Sequence, residues 1–306
     1  MLTYEFIMEF IGSILRMSTP LILVGMAAVI GAKANILCVA YEGMMLFAAL
    51  GGVLGSAYTQ NIFVGVVCGI AAGIFIAAIF AYFVLYLDAR PLLSGLALNT
   101  LANGGTLYML YLLTGMKQNT STLVSLKFPT IHIPVIESIP VLGDLVSGHN
   151  LMVYFAFASV AFAWFLINKT QLGIRIQAVG KNPDAAASVG INVCKTKFIA
   201  LVLSGILASF GGMYLSMGYL PYFTADKAAG RGFIAIADQN MGVGNPILTM
   251  IFSIIFGFAM AVGNVAQAYR LPSQFASMAP YLLTIVSMWI MGARAKKKNK
   301  KAGMAG

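Results

Sequence analysis

Two acidic side chains, Glu42 and Asp238, stand in or beside otherwise apolar sequence, where ionisable groups usually face a pathway or a paired partner. Asp238 is followed by Gln239 and Asn240, so an acid and two amides interrupt the apolar run that begins at Gly232. Asn99 and Asn103 are spaced four residues apart and would share one face of a helix. Such groups can line a wet path and hydrogen-bond a passing solute, or they can bind helices to one another. Residue type and spacing leave both readings open. Covalent catalysis has less to work with: a serine nucleophile needs a base within reach, and the only histidines, His132 and His149, fall in a loop far from Ser94 and Ser204. Cys38, Cys68 and Cys194 show neither metal-like nor paired spacing, which speaks against a zinc site and a disulfide framework.

The elements that must position these residues belong in a bilayer. Of the 306 residues 60% are hydrophobic and 9% charged, with a mean hydropathy of +0.89, outside the range of soluble domains. Ile62 to Leu87, Leu151 to Ile167, Phe198 to Met217, Ile247 to Val265 and Met278 to Met291 reach or approach the roughly 20 apolar residues a spanning helix needs. The expected fold is all-α, a polytopic transmembrane helical bundle with about 8–10 membrane segments, some of them broken or half helices. One transmembrane domain over residues 1–292 and a basic tail over 293–306 account for the chain. The opening stretch has Glu5 and Glu9 where a secretory signal carries basic residues, and reads as a retained first helix.

Net charge +10 would suggest nucleic acid in a soluble protein, but basic residues in a membrane protein are sorted by loop. Lys33, Arg90, Lys169, Arg175, Lys181, Lys195, Lys197 and the six basic residues of the tail fall on one side by this rule, which is then cytoplasmic. No nucleic-acid partner is expected; the surrounding partner is membrane lipid. A cytoplasmic loop at 168–197, an outer loop at 114–150 and a cytoplasmic C-terminus follow. Crossings near 6–30, 43–58, 62–87, 91–113 and 151–167 place the N-terminus outside, with Pro20 and the stretch ANILCVAYEG as candidate breaks. Lys197 and the tail can share one side only if a further crossing lies between them. GFIAIADQNMGVG, residues 232–244, is the candidate, yet as straight helix it reaches about 20 Å against a hydrocarbon core of about 30 Å. It must be completed by irregular backbone shielded by protein or water.

The polar insert QLGIRIQAVGKNPDAAASVGINVCKTK, residues 171–197, contains a short helix written in local chemistry. Asn182 stands at the N-cap, Pro183 at the first helical position and Asp184 on the positive end of the dipole; Ala185 to Ala187 propagate, and Gly190 stops it. On residues alone this is either a solvated connector or a rigid docking element. The spacing of Asp184, Ala185, Ala186 and Gly190 resembles the EAA-x-x-x-G loop of importer permeases of the ATP-binding cassette (ABC) superfamily. AVGKNPDAAASVGINV followed by LVLSGILASFGGMYLS is similar to the ribose and branched-chain amino acid group of these permeases, and closest to its nucleoside branch. YEGMML, LLSGLALNTLANG, SIPVLGDLVSGH, GRGFIAIA and LPSQFASMAPYLLT extend the likeness from about residue 18 to 292. Cys38-Val39-Ala40-Tyr41 and Asp238-Gln239-Asn240 depart from that group's usual residues, and both departures lie near the expected path.

The resemblance implies a transport subunit of the prokaryotic inner (plasma) membrane, not an enzyme, translocating nucleosides or related ribose-bearing solutes. Gly180, Lys181, Asn182, Pro183, Asp184, Ala185, Ala186 and Gly190 would form the element that couples it to a separate ABC ATPase subunit. A second homologous permease and an extracytoplasmic substrate-binding lipoprotein of the basic-membrane-protein type would complete the assembly. No G-x-x-x-x-G-K-[ST] occurs, so this chain cannot cradle nucleotide phosphates itself; no cofactor is expected on it, and ATP and Mg belong to the partner. Glu42, Asn99, Asn103, Asp238, Gln239 and Asn240 are the pathway candidates. The alternatives are an ABC permease for simple sugars and, on the two membrane acids alone, an ion-coupled secondary transporter.

Overall fold

The computed structural model describes residues 4–115, 119–120, 123, 125–131, 148–268, 278 and 282. The basic tail, most of the last apolar stretch, His132 and most of the outer loop lie outside the described residues. Four long helices come first: α1 (Tyr4–Lys33), α2 (Tyr41–Thr59), α3 (Ile62–Tyr86) and α4 (Pro91–Thr114). A two-residue hairpin pairs β1 (Thr130–Ile131) with β2 (His149–Asn150). Then follow α5 (Leu151–Lys169), α6 (Gln171–Lys181), the short α7 (Pro183–Ser188) and α8 (Val193–Met213), which continues as a π-helical turn over Tyr214–Tyr219. Two more helices follow, α9 (Arg231–Met241) and α10 (Pro246–Ala268).

Five of these helical stretches are long and apolar enough to cross a membrane: Phe6–Lys33, Ile62–Tyr86, Leu151–Lys169, Val193–Tyr219 and Pro246–Gln267. α1 and α8 form the centre, packed against one another and against α2, α3 and α10. Leu21, Ile22, Leu23 and Met26 of α1 are fully buried. α3, by contrast, shows Phe63, Val67, Phe75 and Tyr82 outward, the apolar exterior expected where lipid or a partner chain replaces water. Cys68 is exposed there too, whereas Cys38 is buried.

α1 passes through Pro20 without interruption. The expected break at ANILCVAYEG is real: after Lys33 the chain turns back through Asn35, at a left-handed φ of 54°, and runs without helix to Tyr41. α2 therefore starts inside the bundle, where the Tyr41 hydroxyl donates to the Ala27 carbonyl at 3.2 Å.

Contacts orient the rest. Lys33 shares a cavity wall with Asn168, Gly244 and Pro246, and Gly12 lies beside His149 at the opposite end of α1. The π-helical turn reaches that second end, where Phe128 donates to Met217 O at 2.9 Å and Thr120 to Phe223 O at 2.9 Å. α10 starts beside Lys33 and ends beside Phe6 and Phe10. Residues 220–245 must thus return from one end to the other. They do so as irregular chain followed by α9, whose 11 residues rise only about 16 Å.

Close backbone approach makes the centre sensitive to volume. A Cβ on Gly212 of α8 would stand 2.1 Å from the Met45 carbonyl of α2, while one on Gly104 of α4 meets nothing within 4 Å. Overpacking of this kind costs about 1–3 kcal/mol and more where backbone must move. Gly212→Val is expected to lower the thermal unfolding midpoint of the detergent-solubilised protein by several degrees, and Gly104→Val to leave it unchanged; equal midpoints for all three proteins would contradict this packing.

Candidate functional site

α2 begins in the interior and α9 begins half-buried beside it, and each leaves N–H groups without an intrahelical partner. In a bilayer those groups have no water to turn to. Glu42 and Asn99 supply the partners. Glu42, in the first turn of α2, accepts from Gly230 N through Oε1 at 2.7 Å and from Gly232 N through Oε2 at 2.9 Å. Its carboxylate, 6% exposed, lies at the positive ends of both helices. Gly232 permits this approach: a Cβ there would lie 2.5 Å from Glu42 N. Asn99 of α4 accepts from Gly43 N at 2.8 Å and donates to Val39 O at 2.9 Å, fastening the first turn of α2 to the end of the break before it.

The six pathway candidates therefore separate. Glu42 and Asn99 meet around the start of α2, with both functional ends of each side chain taken up by backbone. Asn103 is half-buried one turn further along α4. Asp238 is fully buried and turned to α10, where Oδ2 accepts from Ser253 Oγ at 2.7 Å. Its Oδ1 and the buried Thr249 hydroxyl, one turn before Ser253, have no hydrogen-bond partner among the described residues. Gln239 and Asn240 lie elsewhere: with Asn35, Cys38 and Tyr41 they line an open cleft of about 160 Å³ between the break and α9. Asn35, Ser253 and Thr249 are not singled out by the sequence, and Tyr41 only as a departure near the expected path. ANILCVAYEG carried a signal for Asn35 and Tyr41; nothing local marks the others.

At the Lys33 end α7 stands out from the bundle. Asn182 Oδ1 accepts from Ala185 N at 3.0 Å as an N-cap, and Gly190, at φ 85°, ends the helix with Ile191 N donating to Ala186 O at 3.0 Å. Asp184, Ala185, Ala187 and Ser188 are exposed and only Ala186 is buried. Lys181 and Pro183 flank the cap. Gly180, by contrast, faces the bundle, with α6 so close to the end of α1 that a Cβ would stand 2.0 Å from Lys33 O. Ser204 donates to Ala27 O at 2.8 Å, and His149, the histidine among the described residues, sits beside Gly12 towards the far end of α1.

The described residues thus form a multi-pass helical bundle with an irregular return across it, a polar cleft and a capped helix projecting from one end. The family described as the branched-chain amino acid transport system permease component matches residues 10–291, and the chain belongs to it. The chain is 28% identical over 296 residues to the nucleoside ABC transporter permease protein NupC of Lactococcus lactis, covering 93% of this chain and 92% of that one. It is 31% identical over 300 residues to the guanosine ABC transporter permease protein NupQ of Bacillus subtilis, covering 92% of each. A putative glucose ABC transporter permease protein of Haloferax volcanii, TsgC13, is 30% identical over 83% of this chain and 76% of its own. No solved structure matches the chain.

Removing the Glu42 carboxylate would leave the buried Gly232 N–H and the half-buried Gly230 N–H without their acceptor, at a cost on the order of 3 kcal/mol. In Glu42→Ala, amide hydrogen exchange across residues 230–241 is expected to accelerate on the order of a hundredfold, with Glu42→Gln intermediate because it keeps one acceptor oxygen. Exchange at the wild-type rate in Glu42→Ala would show that α9 is held by something else.

Proposed function

We propose that this permease carries nucleosides inward as one of two membrane subunits of an ATP-driven ABC importer. The observation that carries the reading is the similarity, over more than nine-tenths of each chain, to permeases named for nucleosides and for guanosine. Coupling is assigned to α7. A short helix capped at both ends transmits a push better than a loose loop, and Gly180 sets the preceding helix directly against the end of α1. Closure of a partner ATPase on nucleotide would press α7 and move α1, whose continuation is the break leading to Glu42 and α9. ATP and Mg sit in that partner, since this chain has no phosphate-binding loop. The second membrane subunit is a homologous permease, and solute is delivered outside by a binding lipoprotein. The Lys33 end and the C-terminal tail face the cytoplasm, by the distribution of Lys and Arg.

A simple sugar is the second reading, supported by the similarity to the putative glucose permease. Membership of the permease family leaves ion-coupled transport without a supporting feature.

Uptake of labelled guanosine, uridine and glucose by cells lacking this chain, with and without its reintroduction, separates the two. Restored nucleoside uptake is expected; restoration of glucose uptake alone would shift the assignment to sugars. The combined variant Asn182→Ala, Pro183→Gly, Asp184→Lys, which removes a cap worth about 1 kcal/mol and reverses the charge beside it, is expected to reach the membrane but lose most uptake. Normal uptake by that variant, with the ATPase still bound, would remove the coupling role from α7.

A further inference from the structure

Three elements meet at the Lys33 end of the bundle around a cavity of about 140 Å³: the end of α1 brings Lys33, the end of α5 brings Trp164 and Asn168, and Gly244 and Asn245 lead into α10. A single water needs about 10–15 Å³ of such space, so a phosphate group fits. Lys33 Nζ reaches Gly244, where an added Cβ would stand 3.5 Å from it, and Gln239 Nε2 comes to the same place at 3.8 Å. Neither side chain has a hydrogen-bond partner among the described residues, so two donors converge where the described chain supplies no acceptor. Lys169 Nζ, 6.0 Å from the centre of the Trp164 ring, adds a second cation at the rim. The chain has little to neutralise them. Of its nine Asp and Glu, only Asp88 and Asp184 fall on the cytoplasmic loops and tail, which carry 13 Lys and Arg, and neither lines the cavity.

We propose that this cavity seats the phosphate of an anionic phospholipid of the inner leaflet, with Lys33 as its counter-ion and Lys169 at the rim. The proposal rests on the cytoplasmic placement of the Lys33 end and is independent of which solute is carried. Lipid, and not a dissolved anion, follows from what flanks the cavity. Trp164 is 41% exposed beside it, an amphipathic ring of the kind that marks the membrane–water interface. From there towards the bilayer centre α5 shows Phe165 and Phe162, and α10 shows Ile247 and Ile251, all exposed. An acyl chain attached to a phosphate in the cavity has that apolar surface to lie along. The head group in turn supplies the charge that Lys33 lacks, in the setting where basic pockets between spanning helices hold anionic lipids. Seated there, it ties the ends of α1 and α5 to the start of α10, where the return over 220–245 reaches the cytoplasm.

Trp164 reports on this cavity once the other tryptophan of the chain is removed by Trp289→Phe. The full chain carrying that change is placed in phosphatidylcholine nanodiscs with increasing mole fractions of brominated phosphatidylglycerol or of brominated phosphatidylcholine, whose bromines quench a nearby indole. Phosphatidylglycerol is expected to reach half-maximal quenching at about a tenfold lower mole fraction, the scale set by two basic residues at an anionic surface. Lys33→Gln should reduce that preference to about threefold or less, and Lys33→Arg should keep it. Lys195→Gln, exposed at the start of α8 and outside the cavity, should leave it unchanged. Equal quenching by the two lipids before any lysine is changed would overturn the proposal. Equal loss in Lys195→Gln and Lys33→Gln would replace the cavity with diffuse surface charge and overturn it too. Relief of phosphatidylglycerol quenching by millimolar inorganic phosphate, and not by potassium chloride of the same ionic strength, would make this a site for a dissolved anion and remove lipid as the occupant. No arm requires uptake of guanosine, so failure here is distinct from failure of the importer reading.

Discussion

The structure depends on satisfying backbone N–H groups where two helices start inside a membrane protein. A helix that begins at the surface leaves those groups to water; α2 begins in the buried interior, and the half-buried start of α9 is turned onto a carboxylate of α2. One carboxylate, Glu42, closes the start of α9 across 188 to 190 residues of sequence, and one amide, Asn99, closes the start of α2. Neither bond is of an unusual kind. Their weight comes from the alternative, because an unpaired buried N–H costs about 1–3 kcal/mol and two helix starts expose several. Placing a glycine at 232 and at 43 lets donor and acceptor meet without a side chain between them, and the packing of α2, α4 and α9 follows from that meeting.

The same arrangement explains why polar residues can sit beside the break without unfolding it. Glu42, Asn99 and Asp238 are bound to the protein itself, while Asn35, Gln239 and Asn240 face open space. Adjacent polar residues of α9 thus divide between packing, at Asp238, and the open cleft, at Gln239 and Asn240. In the proposed importer the two are mechanically joined. α6 is pressed on the end of α1 through Gly180, and α1 leads directly into the break, so displacement of α7 has a short packed route to the cleft.

Much of this was legible in the sequence because its signals are local. Helix bounds followed from apolar length; the cap at Asn182, Pro183 and Asp184 is spelled out by adjacent residues. The short crossing at 232–244 followed from charge on the loops, which demanded a return where hydropathy showed none. What stayed hidden was pairing at long range. Amide spacing identified Asn99 and Asn103 as helix neighbours, yet left open whether they face solute or backbone; the structure gives Asn99 to the start of α2. Asp238 was legible as a membrane acid, but its partner Ser253 sits in an ordinary apolar helix, where serine carries no signal. Pro20 misled in the other direction, since α1 packs so tightly on α8 and α10 that it runs through the proline unbroken.

The central claim is that residues 220–245 cross the bundle although they contain only a three-turn helix. Single cysteines at Thr224→Cys and Val243→Cys, in an otherwise cysteine-free chain, can be labelled with a membrane-impermeant maleimide from either side of sealed, oriented membranes. Thr224 is bridged to Asn119 at one end of the bundle, and Val243 is exposed at the other. The account predicts labelling from opposite sides, with 224 reached only from outside and 243 only from the cytoplasm. Labelling of both from the same side would contradict it.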